Sequence, residues 1–295
     1  MENEAIISFE DFGFQYTAQA EPTLYDINLQ IRKGEKVLIA GPSGCGKSTL
    51  AHCVNGLVPN SYPGKATGKL TIGGQDALKL GLFGLSKIVG TVLQDSDGQF
   101  IGLTVAEDIA FALENDCIPT EEMRREVEKV AKLVDVEQVL HHAPHEISGG
   151  QKQRVGLGGV MVGQVDVLLF DEPLANLDPA TGKQTIQLLD EIQQRTGCAV
   201  VIIEHRLEDV IPMANRLLIL DKGALIADET PMETFEILRN LGHPMLLSMP
   251  TPMRIWSTLN WNTPCPMTVS DGRNQLTDWA GEHTWKAVPE RTGMT

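Results

Sequence analysis

Nine residues, Gly41-Pro42-Ser43-Gly44-Cys45-Gly46-Lys47-Ser48-Thr49, constrain this chain more than any other stretch. They fit the pattern GxxxxGK[ST] and directly follow the apolar run Val37-Leu38-Ile39-Ala40. A segment with Leu50, Val54 and Leu57 on one helical face comes next. A strand, a glycine loop and a helix in that order let backbone N–H groups approach phosphate oxygens without interference from Cβ atoms, and the helix N-terminus adds its positive dipole end. On this reading Lys47 reaches the β and γ phosphates of a nucleotide and the Ser48 hydroxyl ligates Mg²⁺, with Gly41 to Gly46 and Thr49 completing the cradle.

A second feature fits the same ligand. The apolar strand Val167-Leu168-Leu169-Phe170 ends in Asp171-Glu172, which delivers two acids to the carboxyl edge of a sheet, where open α/β folds bind ligands. Asp171 is placed to hold Mg²⁺ and Glu172 to act as general base on an attacking water. Taken alone, an acidic pair after a strand reads equally as a solvated helix cap. The run Ala199-Val200-Val201-Ile202-Ile203 is a further short, fully apolar strand, and the intervening Thr181 to Thr196 is amphipathic through Ile186, Leu189 and Ile192. That is a βαβ pattern. Ahead of the glycine loop, Ile6 to Phe9 and Ile27 to Ile31 read as strands, with a turn at Lys33-Gly34-Glu35. Between about residues 100 and 160 the periodicity becomes helical. Thr104 to Glu107 has the form of a capping box, and Thr120 is expected to cap a helix bearing Met123, Val127, Val130 and Val134 on one face.

The segment Ile147-Ser148-Gly149-Gly150-Gln151-Lys152-Gln153-Arg154 closely resembles the signature sequence of ATP-binding cassette (ABC) ATPases. The resemblance covers roughly residues 4 to 238 and includes Tyr16 as the aromatic that stacks on adenine, Gln94 as the Q-loop glutamine, Ala175-Asn176-Leu177-Asp178 as the D-loop, and His205 as the switch histidine. The motifs stand in the family's order. The resemblance implies an α/β P-loop NTPase core, a parallel sheet with an antiparallel β subdomain, and an inserted α-helical subdomain. It implies that Ser148, Gly149, Gly150, Gln151 and Asp178 face the ATP of a second ABC subunit, so that two nucleotides are clamped head to tail between two cassettes. Gln94 would sense the γ-phosphate and Mg²⁺, and His205 would contact that phosphate and steady Glu172. Three departures stand out: Ile147 opens the signature where Leu is commoner, Glu204-His205-Arg206 replaces the usual Thr-His-Asp, and Cys45 places a thiol in the glycine loop, where alkylation could reach it.

Within that family, the stretch from Val92 to Phe111 looks like the Q-loop region of energy-coupling-factor (ECF) transporters, as do Asn55-Gly56-Leu57 and Thr230 to Phe235. The likeness implies uptake of a vitamin or metal ion with a transmembrane coupling protein and a substrate-binding membrane protein as partners, on the cytoplasmic face of the cell membrane. Another ABC importer or exporter, or a soluble ABC ATPase, remains the alternative. A DNA-acting one would need a long coiled-coil insertion between Lys47 and Ser148, and a translation-type one would need two cassettes and basic linkers. Phe100 reads either as an apolar anchor for a partner's coupling helix or as ordinary core.

Charge excludes further classes. The chain carries 24 Lys plus Arg against 39 Asp plus Glu, a net charge of -15, whereas nucleic acid and anionic lipid both need a basic face. The longest stretch free of Asp, Glu, Lys and Arg, Ser48 to Gly64, holds His52, two Asn and two Pro, and is no membrane span. The acidic start Met1-Glu2-Asn3-Glu4 is unlike a secretory signal, which points to the cytoplasm. Five separated cysteines, without a CxxC pair, suggest neither a disulfide framework nor a zinc site. A boundary is expected near Asn240, giving a 1–240 ATP-binding domain. Residues 241–295 hold all four tryptophans, six of the sixteen prolines and no net charge, and read as an accessory or linker segment.

Overall fold

Alternate residues of the central strands belong to two different hydrophobic cores, and this sets the architecture. On β3 (Lys36–Ala40), Leu38 and Ala40 join one cluster while Val37 and Ile39 join the other. The same division holds on β7 (Val167–Asp171), where Leu168 and Phe170 are separated from Val167 and Leu169, and on β8 (Ala199–Ile203). A strand apolar on both faces has to be covered twice. Each buried Val, Leu or Ile here contributes about 1.5–3 kcal/mol relative to exposure.

The computed structural model describes residues 5–92, 100–175, 177–259 and 263–282. Among them a six-stranded sheet has the order β10-β9-β3-β8-β7-β6, and a four-stranded sheet the order β2-β1-β4-β5. The larger adds β6 (Val89–Val92), β9 (Arg216–Asp221) and β10 (Ala224–Glu229), parallel except for the β9/β10 pair. The smaller is antiparallel and comprises β1 (Ala5–Tyr16), β2 (Leu24–Arg32), β4 (Gly64–Ile72) and β5 (Gln75–Asp76). This is the α/β arrangement expected from the resemblance, a parallel sheet with an antiparallel one beside it. Arg216 ties the two sheets: its guanidinium donates to Asp228 on β10, to the Gln30 carbonyl on β2 at 2.7 Å and to Glu35 at 2.7 Å.

The helices are α1 (Lys47–Val54), α2 (Leu57–Asn60), α3 (Ala77–Ser86), α4 (Val105–Asn115), α5 (Thr120–Leu133), α6 (Gly149–Met161), α7 (Pro179–Thr196), α8 (Leu207–Val210), α9 (Pro231–Leu241), α10 (Thr251–Leu259) and α11 (Val269–Glu282). The antiparallel sheet, α1 and Leu85 of α3 share the cluster on one face of the parallel sheet; α4 to α7 and α9 share the cluster on the other. β7, α7 and β8 form the expected βαβ unit, with the strands parallel and adjacent. Thr104 caps α4 in a complete capping box with Glu107. Two local expectations are corrected. Thr120 is the first residue of α5 rather than its cap, because Pro119 occupies that position with φ already preset. Leu57 does not continue α1, which stops at Val54 because Gly56 turns into the left-handed region at φ 78°.

Past residue 240 the chain stays on the same core. Met245, Met249 and Met253 are buried in the cluster that holds Phe235 and Leu238. None of the helices among the described residues is long and apolar enough to cross a membrane. Because Met253 is fully enclosed, Met253→Ala should cost about 2–5 kcal/mol, read as a lower urea midpoint of a single unfolding transition; an unchanged midpoint would mean that α10 does not share this core.

Candidate functional site

The glycine loop leaves β3 at its carboxyl end, and its backbone explains its composition. Gly41 has φ 155°, and a Cβ there would meet the Leu220 carbonyl at 2.1 Å, so no side chain fits. Gly44 has open space around it but φ 77°, a left-handed conformation in which a Cβ is disfavoured. The Lys47 side chain folds back into the loop, donating to the carbonyls of Gly41 and Pro42 at 3.0 Å each, and is only 6% exposed. Ser43, Gly44 and Ser48 stay exposed at the mouth, whereas Cys45 is buried behind them and burial pushes its thiol upward in pKa. That thiol is therefore poorly placed for alkylation. Thr49 turns inward, its hydroxyl 3.0 Å from the hydroxyl of Tyr16, whose ring stands edge-on to Phe14.

Beside this loop β7 delivers Asp171 and Glu172. Burial, and next the Glu172 charge, raise the Asp171 pKa, while His52, the Ser48 hydroxyl and Lys47 pull it back down. Asp171 Oδ1 is buried without a hydrogen-bond partner among the described residues. An orphaned carboxylate oxygen next to a Ser hydroxyl and a carboxylate is the donor set a hard divalent cation takes. Ser48 and Asp171 thus fit Mg²⁺. Glu172 has φ 52°, unusual for a residue with a Cβ, and its Oε1 lies 3.1 Å from His205 Nε2. A carboxylate only accepts, so Nε2 carries the proton of that bond.

Residues of the signature segment gather elsewhere. Ser148 caps α6 by accepting from the Gln151 N–H at 3.3 Å, while Gln151 Oε1 accepts from the Ser148 N–H at 2.9 Å. Asp178 caps α7 through the Ala180 and Thr181 N–H groups and the Thr181 hydroxyl, and those bonds hold its carboxyl below the usual range. Ser148, Gly149, Gly150, Gln151, Leu177 and Asp178 line one open groove of about 460 Å³. Among the described residues that line it, none comes from Gly41 to Thr49 or from Asp171 and Glu172. The chain therefore presents two partial sites, one built on the glycine loop and one on the signature helix. Gln94, expected in the first, lies outside the described residues. Phe100 packs against the core, and the neighbouring Ile101 and Leu103 are 65% and 81% exposed.

A family model described as ABC transporter (ABC_tran) matches residues 24–175, a span that runs from β2 through the glycine loop and signature helix to the acidic strand end. The chain belongs to the ABC transporter family. Among its relatives, a "Putative ABC transporter ATP-binding protein" of Enterococcus faecalis is 57% identical over 229 residues, covering 77% of this chain and 40% of the relative. One of the same description from Vibrio vulnificus is 48% identical over 273 residues, 92% of this chain and 46% of the relative. The chain thus spans less than half the length of these relatives. Among solved structures, CbiO1 from Clostridium perfringens, described as part of the ABC transporter complex cbiONQ, superposes with a TM-score of 0.73 at 29% identity, covering 88% of this chain and 100% of that one.

Sequence reasoning missed the interior partners of the cassette's site. Gln153 belongs to the signature run, yet its amide joins the Pro173 carbonyl at 2.9 Å to the Thr185 hydroxyl at 3.0 Å. His52 stacks on Tyr62 and senses Asp171, with its Nδ1 buried and without a partner among the described residues. Only the charged residues flanking His205 gave a visible signal.

The raised pKa of Asp171 generates a prediction with a definite sign. A carboxyl whose folded pKa exceeds its unfolded value of about 3.9 contributes most stability below that pH, and loses it as pH rises through the folded pKa. At neutral pH the buried anion is a cost. Asp171→Asn should therefore raise the thermal midpoint of the nucleotide-free chain and should remove the stabilisation conferred by added Mg²⁺. A lower midpoint, with Mg²⁺ stabilisation intact, would refute this reading of Asp171.

Proposed function

We propose that this chain is an ATP-binding and hydrolysing cassette of an ECF-type uptake transporter. One observation supports hydrolysis above the others: Glu172 stands in hydrogen-bond contact with His205 and directly follows Asp171, whose Oδ1 is buried without a partner among the described residues and whose carboxylate meets the Ser48 hydroxyl. Mg²⁺, when bound, neutralises phosphate charge. The protein's own groups do the rest. Lys47 exchanges its Gly41 and Pro42 carbonyls for phosphate oxygens, and N–H groups of the loop donate to the remaining phosphate oxygens. Glu172 takes the proton of the attacking water, and His205, donating from Nε2, keeps the carboxylate aimed. Tyr16, held by Thr49, offers an aromatic edge for the adenine.

The two separate partial sites support a sandwich of two cassettes, in which the Ser148 to Gln151 groove and Asp178 receive the nucleotide held by the partner's glycine loop. A serine hydroxyl and a helix N-terminus suit a γ-phosphate there. The partner is a second cassette, on a separate chain or in the same polypeptide; relatives of about twice this length are compatible with either.

The ECF subtype rests on the sequence around Thr104 to Phe111 and on the likeness to CbiO1. The acids that open α4 give this region a physical purpose. Asp108 accepts from the Ile101 and Gly102 N–H groups and Glu107 from those of Leu103 and Thr104, so two exposed apolar side chains are displayed on a fixed loop. In this reading Ile101 and Leu103, rather than Phe100, meet a transmembrane coupling protein, which in turn holds a substrate-binding membrane protein; the cassette sits at the cytoplasmic face of the membrane.

Replacing Glu172 by Gln should lower kcat by about 10²–10⁴ with nucleotide affinity retained, checked by steady-state turnover alongside equilibrium binding of ATP; near-normal turnover would remove Glu172 from its role. If a second cassette must complete the site, specific activity of the purified chain should climb with protein concentration. Activity that is high and indifferent to dilution would contradict the two-cassette arrangement.

A further inference from the structure

The loop from Glu172 to Asp178 joins the two partial sites, since its first residue faces His205 and its last lines the signature groove. Its start is strained: Glu172 adopts φ 52°, a conformation that persists in a residue with a Cβ only where neighbours over-determine it. The neighbours are identifiable. The Glu172 N–H extends the β7/β8 ladder by donating to the Ile203 carbonyl at 2.9 Å. Glu204, 2% exposed, accepts from the Leu174 N–H at 2.8 Å on one oxygen, and from the His205 and Arg206 N–H groups at 2.7 and 3.1 Å on the other. Arg206 donates from Nη1 to the Leu174 and Leu177 carbonyls at 3.1 and 3.3 Å, while its Nη2 is anchored on Asp209 at 2.7 Å. Gln153 holds the Pro173 carbonyl from the signature helix.

The two residues flanking His205 therefore grip the same loop that carries Glu172, one through an N–H and the other through two carbonyls. Neither contact depends on a nucleotide. Glu204 fixes the backbone of His205 and of Leu174 with one carboxylate, so the distance between the histidine and the loop is set by a single rigid, buried group. Arg206 uses the planar fork of its guanidinium, with one nitrogen on the loop and the other on α8, to span a gap that a point donor cannot bridge in the same way.

We propose that Glu204 and Arg206 are positioning residues for hydrolysis, clamping the loop from Glu172 to Asp178 onto the strand end that carries His205. The inference rests on the ATPase reading above. The clamp keeps Glu172 aimed at His205 and, through Leu177, keeps Asp178 in the groove offered to the second cassette. Small displacements of a positioned base are costly to turnover and nearly silent in substrate binding.

The test uses the full assembly, wild type against Arg206→Ala, Arg206→Lys and Glu204→Gln. Arg206 is partly exposed, so its removal is compatible with folding. Expected for Arg206→Ala are a kcat for ATP hydrolysis lower by about tenfold or more, a KM for ATP within about twofold of wild type, and a thermal midpoint little changed. Arg206→Lys should recover part of the loss, since it restores a donor but not the fork. Amide exchange in the peptide covering residues 172–178 should quicken in Arg206→Ala and in Glu204→Gln. An active wild type with an equally active Arg206→Ala overturns this proposal alone. So does a parallel fall of kcat, ATP affinity and thermal midpoint, which would reduce the pair to a structural contact. A wild-type assembly without ATPase activity overturns the hydrolysis reading, and this proposal with it.

Discussion

Parallel strands buried on both faces dictate where chemistry can occur in this molecule. The side chains of β3, β7 and β8 are consumed by two cores, Leu38, Leu168 and Val200 on one face and Val37, Leu169 and Val201 on the other. Polar groups can then emerge only where strands end. The carboxyl ends of three neighbouring strands supply the glycine loop after Ala40, the acids Asp171 and Glu172, and the triad Glu204, His205 and Arg206. Because β8 lies between β3 and β7, the histidine segment is delivered between the loop and the acids without any long-range adjustment.

The site makes use of unfavourable arrangements. Gly41 is compelled by the Leu220 carbonyl, Glu172 stands in the left-handed region, and Asp171 keeps an oxygen buried without a partner among the described residues. Each is a cost that ordinary packing would avoid. They are held in place by hydrogen bonds to the flanking backbone, from Lys47 within the glycine loop and from Gln153, Glu204 and Arg206 around the acidic loop.

Much of this was legible in the residues themselves. Short apolar runs marked the buried strands, because a doubly covered strand reads as four or five consecutive apolar residues bounded by turns. Glycine positions marked the loop, since they answer to backbone geometry that no other residue satisfies. Helix limits were less accessible: Thr120 and Pro119 compete for one cap position, and Gly56 stops α1 before Leu57 although the apolar spacing continues. The contacts of Gln153, Glu204 and Arg206 were illegible for a different reason. Their partners are carbonyl and N–H groups, which every residue possesses and no sequence pattern records. The separation of the signature groove from the glycine loop was expected through the family resemblance alone, because no spacing along the chain records how α6 and α7 approach one another.

The three methionines that seal the far side of the large core give the end of the cassette a particular mechanical character. Met245, Met249 and Met253 close the cluster beside Phe235 and Leu238 with unbranched thioether chains, where most of the remaining core uses Val, Leu and Ile. Branched side chains accept few shapes, whereas a methionine chain bends to fill whatever gap its neighbours leave. The seam can therefore take up small shifts of the segment beyond it, whose Cys265 and Met267 rest on the same core.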